Sequence, residues 1–225
     1  MPRHLPALAL ALYAFFPAAV FAQASAGATP SDPMRIAIVV DNSQPTSDYL
    51  PQIRRAVQDL IKALPEGHEM MLVTTGGQMN IRVKPTNDYT EIQEAAGEIF
   101  VARGGGNALI GSVQEIYDRY FRTLEKRWPV IIILSTDGPD LSQRVTTKTV
   151  NELLRGLKQK DVRVNATMLT SSADSLVRSV TLAMIEQTGG FYESATIATA
   201  LPARTKSLAA KIGKQYKDLQ VARTK

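Results

Sequence analysis

From residue 34 onward, short apolar runs alternate with longer amphipathic stretches. Ile36-Ala37-Ile38-Val39-Val40 and Val130-Ile131-Ile132-Ile133-Leu134 are unbroken and largely β-branched, the pattern of strands buried on both faces of a parallel sheet. After the first run, Leu50, Ile53, Val57, Leu60, Ile61 and Leu64 recur at helical spacing, with Asp48 near the start and Pro65 just past the end. Residues 70–74 and 79–84, parted by Gly76-Gly77, predict a hairpin, which makes one strand antiparallel and places it at the sheet edge. Residues 91–101 predict a short helix with Ile92, Ile99 and Phe100 inward, and the loop Arg103-Gly104-Gly105-Gly106-Asn107 follows. Leu109, Val113, Ile116, Tyr117, Tyr120, Phe121 and Leu124 form the strongest helical stripe, ended by Trp128-Pro129. Beyond the second apolar run come a helix through Val150, Leu153, Leu154 and Leu157, a strand over 162–169, and a helix carrying Leu176, Val177, Val180 and Met184. Gly189-Gly190 closes that helix, Phe191-Tyr192 makes a short strand, and a last helix starts near Thr196 and passes Leu208 and Ile212. The order predicts an α/β fold: a doubly wound, mostly parallel six-stranded sheet with one antiparallel edge strand and helices on both faces, a Rossmann-like three-layer sandwich.

The first residues stand apart from this alternation. Arg3 and His4 precede an apolar stretch over 5–21, and small residues follow through Ala22 and Ala24. The pattern is that of a secretory signal peptide cleaved after Ala22 or Ala24, since the run is short for a spanning helix and is broken by Pro17. The predicted organisation is a signal peptide over 1–22, a flexible linker over 23–33, one folded domain over 34–213 and a basic C-terminal tail over 214–225, with no transmembrane segment in the mature form.

The 225 residues include no cysteine, which excludes disulfides, thiolate metal sites and a cysteine nucleophile. Export without disulfides suits a bacterial envelope, so the predicted location is secreted or periplasmic. The net charge of +5 is concentrated at the end of the chain, where Arg204, Lys206, Lys211, Lys214, Lys217, Arg223 and Lys225 face only Asp218. With only Tyr216 interleaved and no reader motif, nucleic acid is not an expected partner. The segment reads as a solvated helix and tail, or as a contact for an acidic polymer or anionic lipid. Nothing in the sequence signals an oligomeric state.

Asp41 and Ser43 follow the first apolar run, Asn107 opens a helix after the Gly-rich loop, and Asp137 follows the second run. In an open parallel sheet the carboxyl ends of the strands gather such loops into one crevice, and an all-oxygen donor set of this kind suits a hard cation. The same residues also read as local structure: Asp41-Asn42-Ser43 as an Asx turn or helix cap, and Asp137-Gly138-Pro139-Asp140 as a turn. Gly104-Gly105-Gly106 follows a helix rather than a strand, so it is not a dinucleotide fingerprint. His68 lies at the start of the second strand, toward the amino edge, and there is no Gly-x-Ser-x-Gly elbow. With no general base beyond the two aspartates, the reading is not an enzyme, and a metal-dependent hydrolase at the same edge is the alternative.

Taken together, these motifs resemble the von Willebrand factor type A domain, and the resemblance covers nearly the whole mature sequence. That family has a metal-ion-dependent adhesion site: Asp-x-Ser-x-Ser after the first strand, a Thr in a loop before a helix, and an Asp, commonly followed by Gly, after the fourth strand. Asp41 and Ser43 match the first two positions and Asp137-Gly138 the last, while Asn107 stands where the family has Thr. Pro45 replaces the second Ser and offers neither hydroxyl nor N–H. Thr46 and Ser47 are the nearest substitutes.

The resemblance implies a degenerate metal site of Asp41, Ser43, Asn107 and Asp137, holding Mg²⁺ (or Mn²⁺ or Ca²⁺) weakly or surviving only as a structural remnant. A leader directly before such a domain is similar to exported bacterial proteins of this kind. The implied function is an exported protein–protein binding or adhesion module that uses its carboxyl-edge loops, with a partner's acidic side chain completing the coordination of any cation. Without a cation, Gln44, Tyr49, Arg103 and Asp140 are the candidate contacts. A structural envelope component that holds acidic polymer through its basic C-terminus is a further alternative.

Overall fold

The computed structural model describes residues 32–143, 145–171 and 175–221. The leader over 1–22, residues 23–31 of the linker and residues 222–225 lie outside the described residues. Six strands form one sheet in the order β3-β2-β1-β4-β5-β6: β1 (Met34–Val40), β2 (Glu69–Thr74), β3 (Asn80–Thr86), β4 (Trp128–Thr136), β5 (Arg163–Leu169) and β6 (Tyr192–Ala195). Every pairing is parallel except β2 with β3, which is the antiparallel hairpin at the edge. The helices are α1 (Leu50–Ala63), α2 (Tyr89–Gly97), α3 (Leu109–Ile116), α4 (Thr147–Gln159), α5 (Leu176–Thr188) and α6 (Leu201–Val221).

The two apolar runs become adjacent central strands, with Ile36, Ile38 and Val40 beside Val130, Ile132 and Leu134. Because strand side chains alternate in direction, these residues feed one core and their neighbours feed another. Ile36, Ile38, Val130 and Ile132 pack with α1, α2 and α6, whereas Ala37, Val39, Ile131 and Ile133 pack with α3, α4 and α5. All are essentially inaccessible to solvent, and each larger aliphatic side chain contributes about 1.5–3 kcal/mol through burial. Strand order reverses between β1 and β4, which opens the crevice at their carboxyl ends where Asp41 and Asp137 emerge.

Three expectations are corrected. The helix predicted over 91–101 ends at Gly97, and Phe100 is 54 % exposed, with the Arg82 guanidinium 4.7 Å from its ring centre. The strong stripe from Leu109 to Leu124 is α3 followed by a π-helical turn over Tyr117–Phe121. The segment after 213 is not a tail throughout: α6 continues to Val221, and Tyr216 is buried against Trp128 and His68. The basic residues of α6 are partly engaged at home, for Lys211 and Arg204 pair with Glu193 on β6 and Lys214 pairs with Asp218. Burial alone would raise the Glu193 pKa, but Lys211, Ser207 and Arg204 together hold it below the usual glutamate value.

Candidate functional site

Asp41 leaves the end of β1 with no exposed surface, and its backbone N–H donates to Leu134 O of β4. A buried carboxylate needs donors on both oxygens. Oδ1 accepts from Ser43 N at 3.0 Å and Ser43 Oγ at 2.6 Å, which closes the Asx turn. Oδ2 accepts from Thr136 Oγ1 at 2.7 Å, Thr136 N at 3.2 Å and Asn107 Nδ2 at 3.1 Å. The Asn107 amide also donates to Ser135 Oγ, and its Oδ1 accepts from Thr75 Oγ1 at 2.7 Å. Asp41, Ser43 and Asn107 are therefore brought together, with the amide nitrogen of Asn107 turned toward the carboxylate.

Asp137 is held elsewhere. Its Oδ2 accepts from Ser171 N at 2.8 Å and Ser171 Oγ at 3.2 Å, and it pairs with Arg178 Nη1 of α5 at 3.3 Å. Pro45 sits in the 3-10 turn over Gln44–Tyr49, and Thr46 Oγ1 donates to Ser43 O rather than to the aspartate cluster. Against the requirements of a cation the donor set does not fit. Asn107 presents a nitrogen that already carries hydrogens, Pro45 presents no ligand, and the Asp137 carboxylate meets a guanidinium. Among the described residues no group of three or more His, Cys, Asp or Glu side chains is placed to hold a metal ion.

The loops around this cluster are cross-braced. Asn42 donates through Nδ2 to Phe100 O and accepts through Oδ1 from Gly76 N, and Ala102 N donates to Asn42 O. Gly76 lies so close that a Cβ there would fall 2.5 Å from Ala102 Cβ, and one on Gly105 would fall 2.8 Å from Gly77 N. The loop after β4 is tied in as well, with Leu141 N donating to Asn107 O. Asp140, a candidate contact in the sequence, instead caps α3. Its Oδ2 accepts from Ile110 N and its Oδ1 from Ser142 N, both at 2.8 Å, while Ser142 Oγ accepts from Gly111 N. The residue at the usual capping position, Ala108, has no side-chain oxygen to offer, so a neighbouring loop supplies it.

Beside Asp137 a cleft of about 890 Å³ opens between the loops after β4, β5 and β6, with Pro45, Tyr49, Pro139, Leu176 and Ala198 in its walls. Burial, then the charges of Asp41, Asp48 and Asp137, raise the Tyr49 phenol above its ordinary pKa of 10.0. Gln44 and Arg103 are exposed on the rim. Leu141, Leu176 and Ile197 are exposed by 60 %, 63 % and 62 % at the same edge. His68 is at the opposite edge, where its Nδ1 accepts from Met34 N at 3.1 Å.

Sequence reasoning did not find Thr136, Thr75 or Arg178. Thr136 carried a signal, being a hydroxyl at the end of a strand whose other residues are apolar. Arg178 carried none, because it lies 41 residues from Asp137.

Residues 36–139 match the family profile of the von Willebrand factor type A domain. No curated protein matches the chain. Among solved structures, a von Willebrand factor type A protein from Catenulispora acidiphila superposes with a TM-score of 0.60 at 14% identity, covering 81% of this chain and 43% of that one. The conserved hypothetical protein BatB from Bacteroides thetaiotaomicron gives a TM-score of 0.61 at 16% identity, covering 82% of this chain and 99% of that one. Proximal thread matrix protein 1 from the mussel byssus, solved with zinc in its metal-ion-dependent adhesion site, gives 0.57 at 16% identity over 80% of this chain and 47% of that one. The chain thus spans less than half of two of these three relatives and nearly all of the third. With the profile match running from within β1 to the turn after β4, across both strand-end aspartates and the Gly-rich loop, the chain carries a von Willebrand factor type A domain, a fold whose members are commonly protein-interaction modules.

Proposed function

We propose that this protein is a non-catalytic binding module that meets a protein partner with its carboxyl-edge loops and needs no divalent cation to do so. One observation carries the reading: both strand-end carboxylates are already engaged by the chain's own donors, Asp41 on both oxygens by Ser43, Thr136 and Asn107, and Asp137 on Oδ2 by Ser171 and Arg178. The Arg178 guanidinium supplies at Asp137 a positive charge of the kind a cation would bring. The exposed Leu141, Leu176 and Ile197 give the edge apolar contact surface. Export belongs to the same proposal and is supported by the leader pattern over 1–22 and by the absence of cysteine. We place the folded domain at 34–221. The alternative of a polymer-binding C-terminus has less support, because Arg204, Lys211 and Lys214 are paired with Glu193 and Asp218.

The test is isothermal titration with Mg²⁺ and Mn²⁺ of the wild type, Pro45→Ser and Pro45→Ser/Arg178→Met. The expected result is no saturable heat for the wild type and equal melting temperatures in EDTA and in excess Mg²⁺. Binding is expected only where the missing hydroxyl is restored and the guanidinium removed. Saturable wild-type heat that disappears in Asp137→Ala would overturn the cation-free reading.

A further inference from the structure

The cleft beside Asp137 is rich in acceptors and poor in cations. Among the described residues lining it there is no lysine or arginine, while Asp137 and Asp140 both contribute. The Asp137 side chain is only 7 % exposed, and all of its hydrogen bonds fall on Oδ2, so Oδ1 accepts none among the described residues. Arg178, which neutralises that carboxylate, is not among the lining residues. Asp48 adds an exposed carboxylate next to Tyr49, and Asp41 adds a buried charge held by neutral groups alone. The charges of Asp41, Asp48 and Asp137 act on the Tyr49 hydroxyl in the cleft wall. A carboxylate entering the cleft would meet like charge and, among the described lining residues, no donor cation, whereas an ammonium or guanidinium would find an open acceptor at Asp137 Oδ1 and an aromatic face. The apolar walls suit the aliphatic stem of such a side chain, and exposed Leu176 suits an apolar neighbour.

We infer that the cleft seats a peptide segment that presents a lysine or arginine side chain toward Asp137 and an apolar residue against Leu176. This rests on the carboxyl-edge reading above and gives the partner a charge opposite to that of a ligand bridged through a metal.

The experiment titrates the full chain with three fluorescein-labelled pentapeptides: leucine alternating with lysine, with glutamate and with glutamine. Anisotropy gives affinity, and amide chemical shifts locate binding. The lysine peptide is expected to bind at least about tenfold more tightly than the glutamate peptide, and its affinity should fall as salt rises. Shifts should concentrate at Tyr49, Asp137 and Leu176, and Asp48→Lys and Leu176→Ser should each weaken binding severalfold. Equal or tighter binding of the glutamate peptide with the same shifts would overturn the charge inference and leave the carboxyl-edge reading standing. Shifts confined to another surface, or no binding by any of the three peptides, would overturn both.

Discussion

The Asn107 side chain donates to Asp41 Oδ2 at 3.1 Å and links the Gly-rich loop to the end of the central strand. The bond ties together residues 66 positions apart in sequence, and both partners are buried. Replacing Asn107 with alanine removes one donor from a carboxylate that water cannot easily reach, which is expected to lower stability by about 1–3 kcal/mol. Asn107→Asp goes further by setting a second carboxylate against the first, so a larger loss is expected in EDTA. That loss should be partly recovered in Mn²⁺, because two facing carboxylates form a hard-cation site that the amide does not. Urea unfolding of both variants with and without Mn²⁺ checks this, and an Asn107→Asp protein as stable as wild type in EDTA would count against the geometry.

His68 makes stability depend on pH. Burial, and then the positive charge of Arg127, lower its pKa from the ordinary 6.5. Its Nδ1 must also stay unprotonated to accept from Met34 N. A base whose folded pKa is depressed binds more protons when unfolded, so its contribution is fully present above the unfolded pKa and is lost as pH falls toward the folded value. Stability is therefore expected to decline on acidification from about pH 7 to pH 5. His68→Asn places an amide oxygen near the position of Nδ1 and should flatten that part of the profile. A profile unchanged by the substitution would show that other groups govern it.

Tyr216 makes the end of α6 part of the core. Its ring lies 4.8 Å from His68 edge-on and 6.1 Å from Trp128 in a stacked arrangement. Tyr216→Ala is expected to reduce stability by about 3 kcal/mol, the usual scale for deleting a buried aromatic side chain. Truncation after Gly213 should be at least as severe. Thermal melts of both proteins measure this, and a truncated chain that melts with wild type would restore the tail reading.

The strands were readable because β1 and β4 are buried on both faces, which forces unbroken runs such as 36–40 and 130–134 with no polar interruption. The hairpin was readable from Gly76-Gly77. Phe100 was misplaced because helical periodicity was extended past Gly97, and its partner Arg82 belongs to another element. The last turns of α6 were read as part of a basic tail over 214–225 because the lysines at 211, 214 and 217 give the segment a solvated look. Leu208, Ile212 and Tyr216 nevertheless keep a four-residue spacing that faces the core.

At the site, Asp41, Ser43 and Asn107 were legible from loop order. Which end of the Asn107 amide faces Asp41 was not, because the Thr75 hydroxyl that fixes it comes from a different strand end. The diversion of Asp137 was equally hidden, since Arg178 sits on a helix beyond the next strand. Motifs report which residues arrive at an edge. They do not report which partners claim their lone pairs.

The bracing of the edge by Asn42, Gly76 and Ala102 has a consequence for how a surface of this kind associates. Loops that are hydrogen-bonded to one another before contact lose little conformational freedom when a second molecule arrives, so the entropy opposing association is small. The same bracing ties their evolution together. A longer side chain at Gly76 would displace Ala102 and Asn42 at once, so the three loops can change shape only in concert.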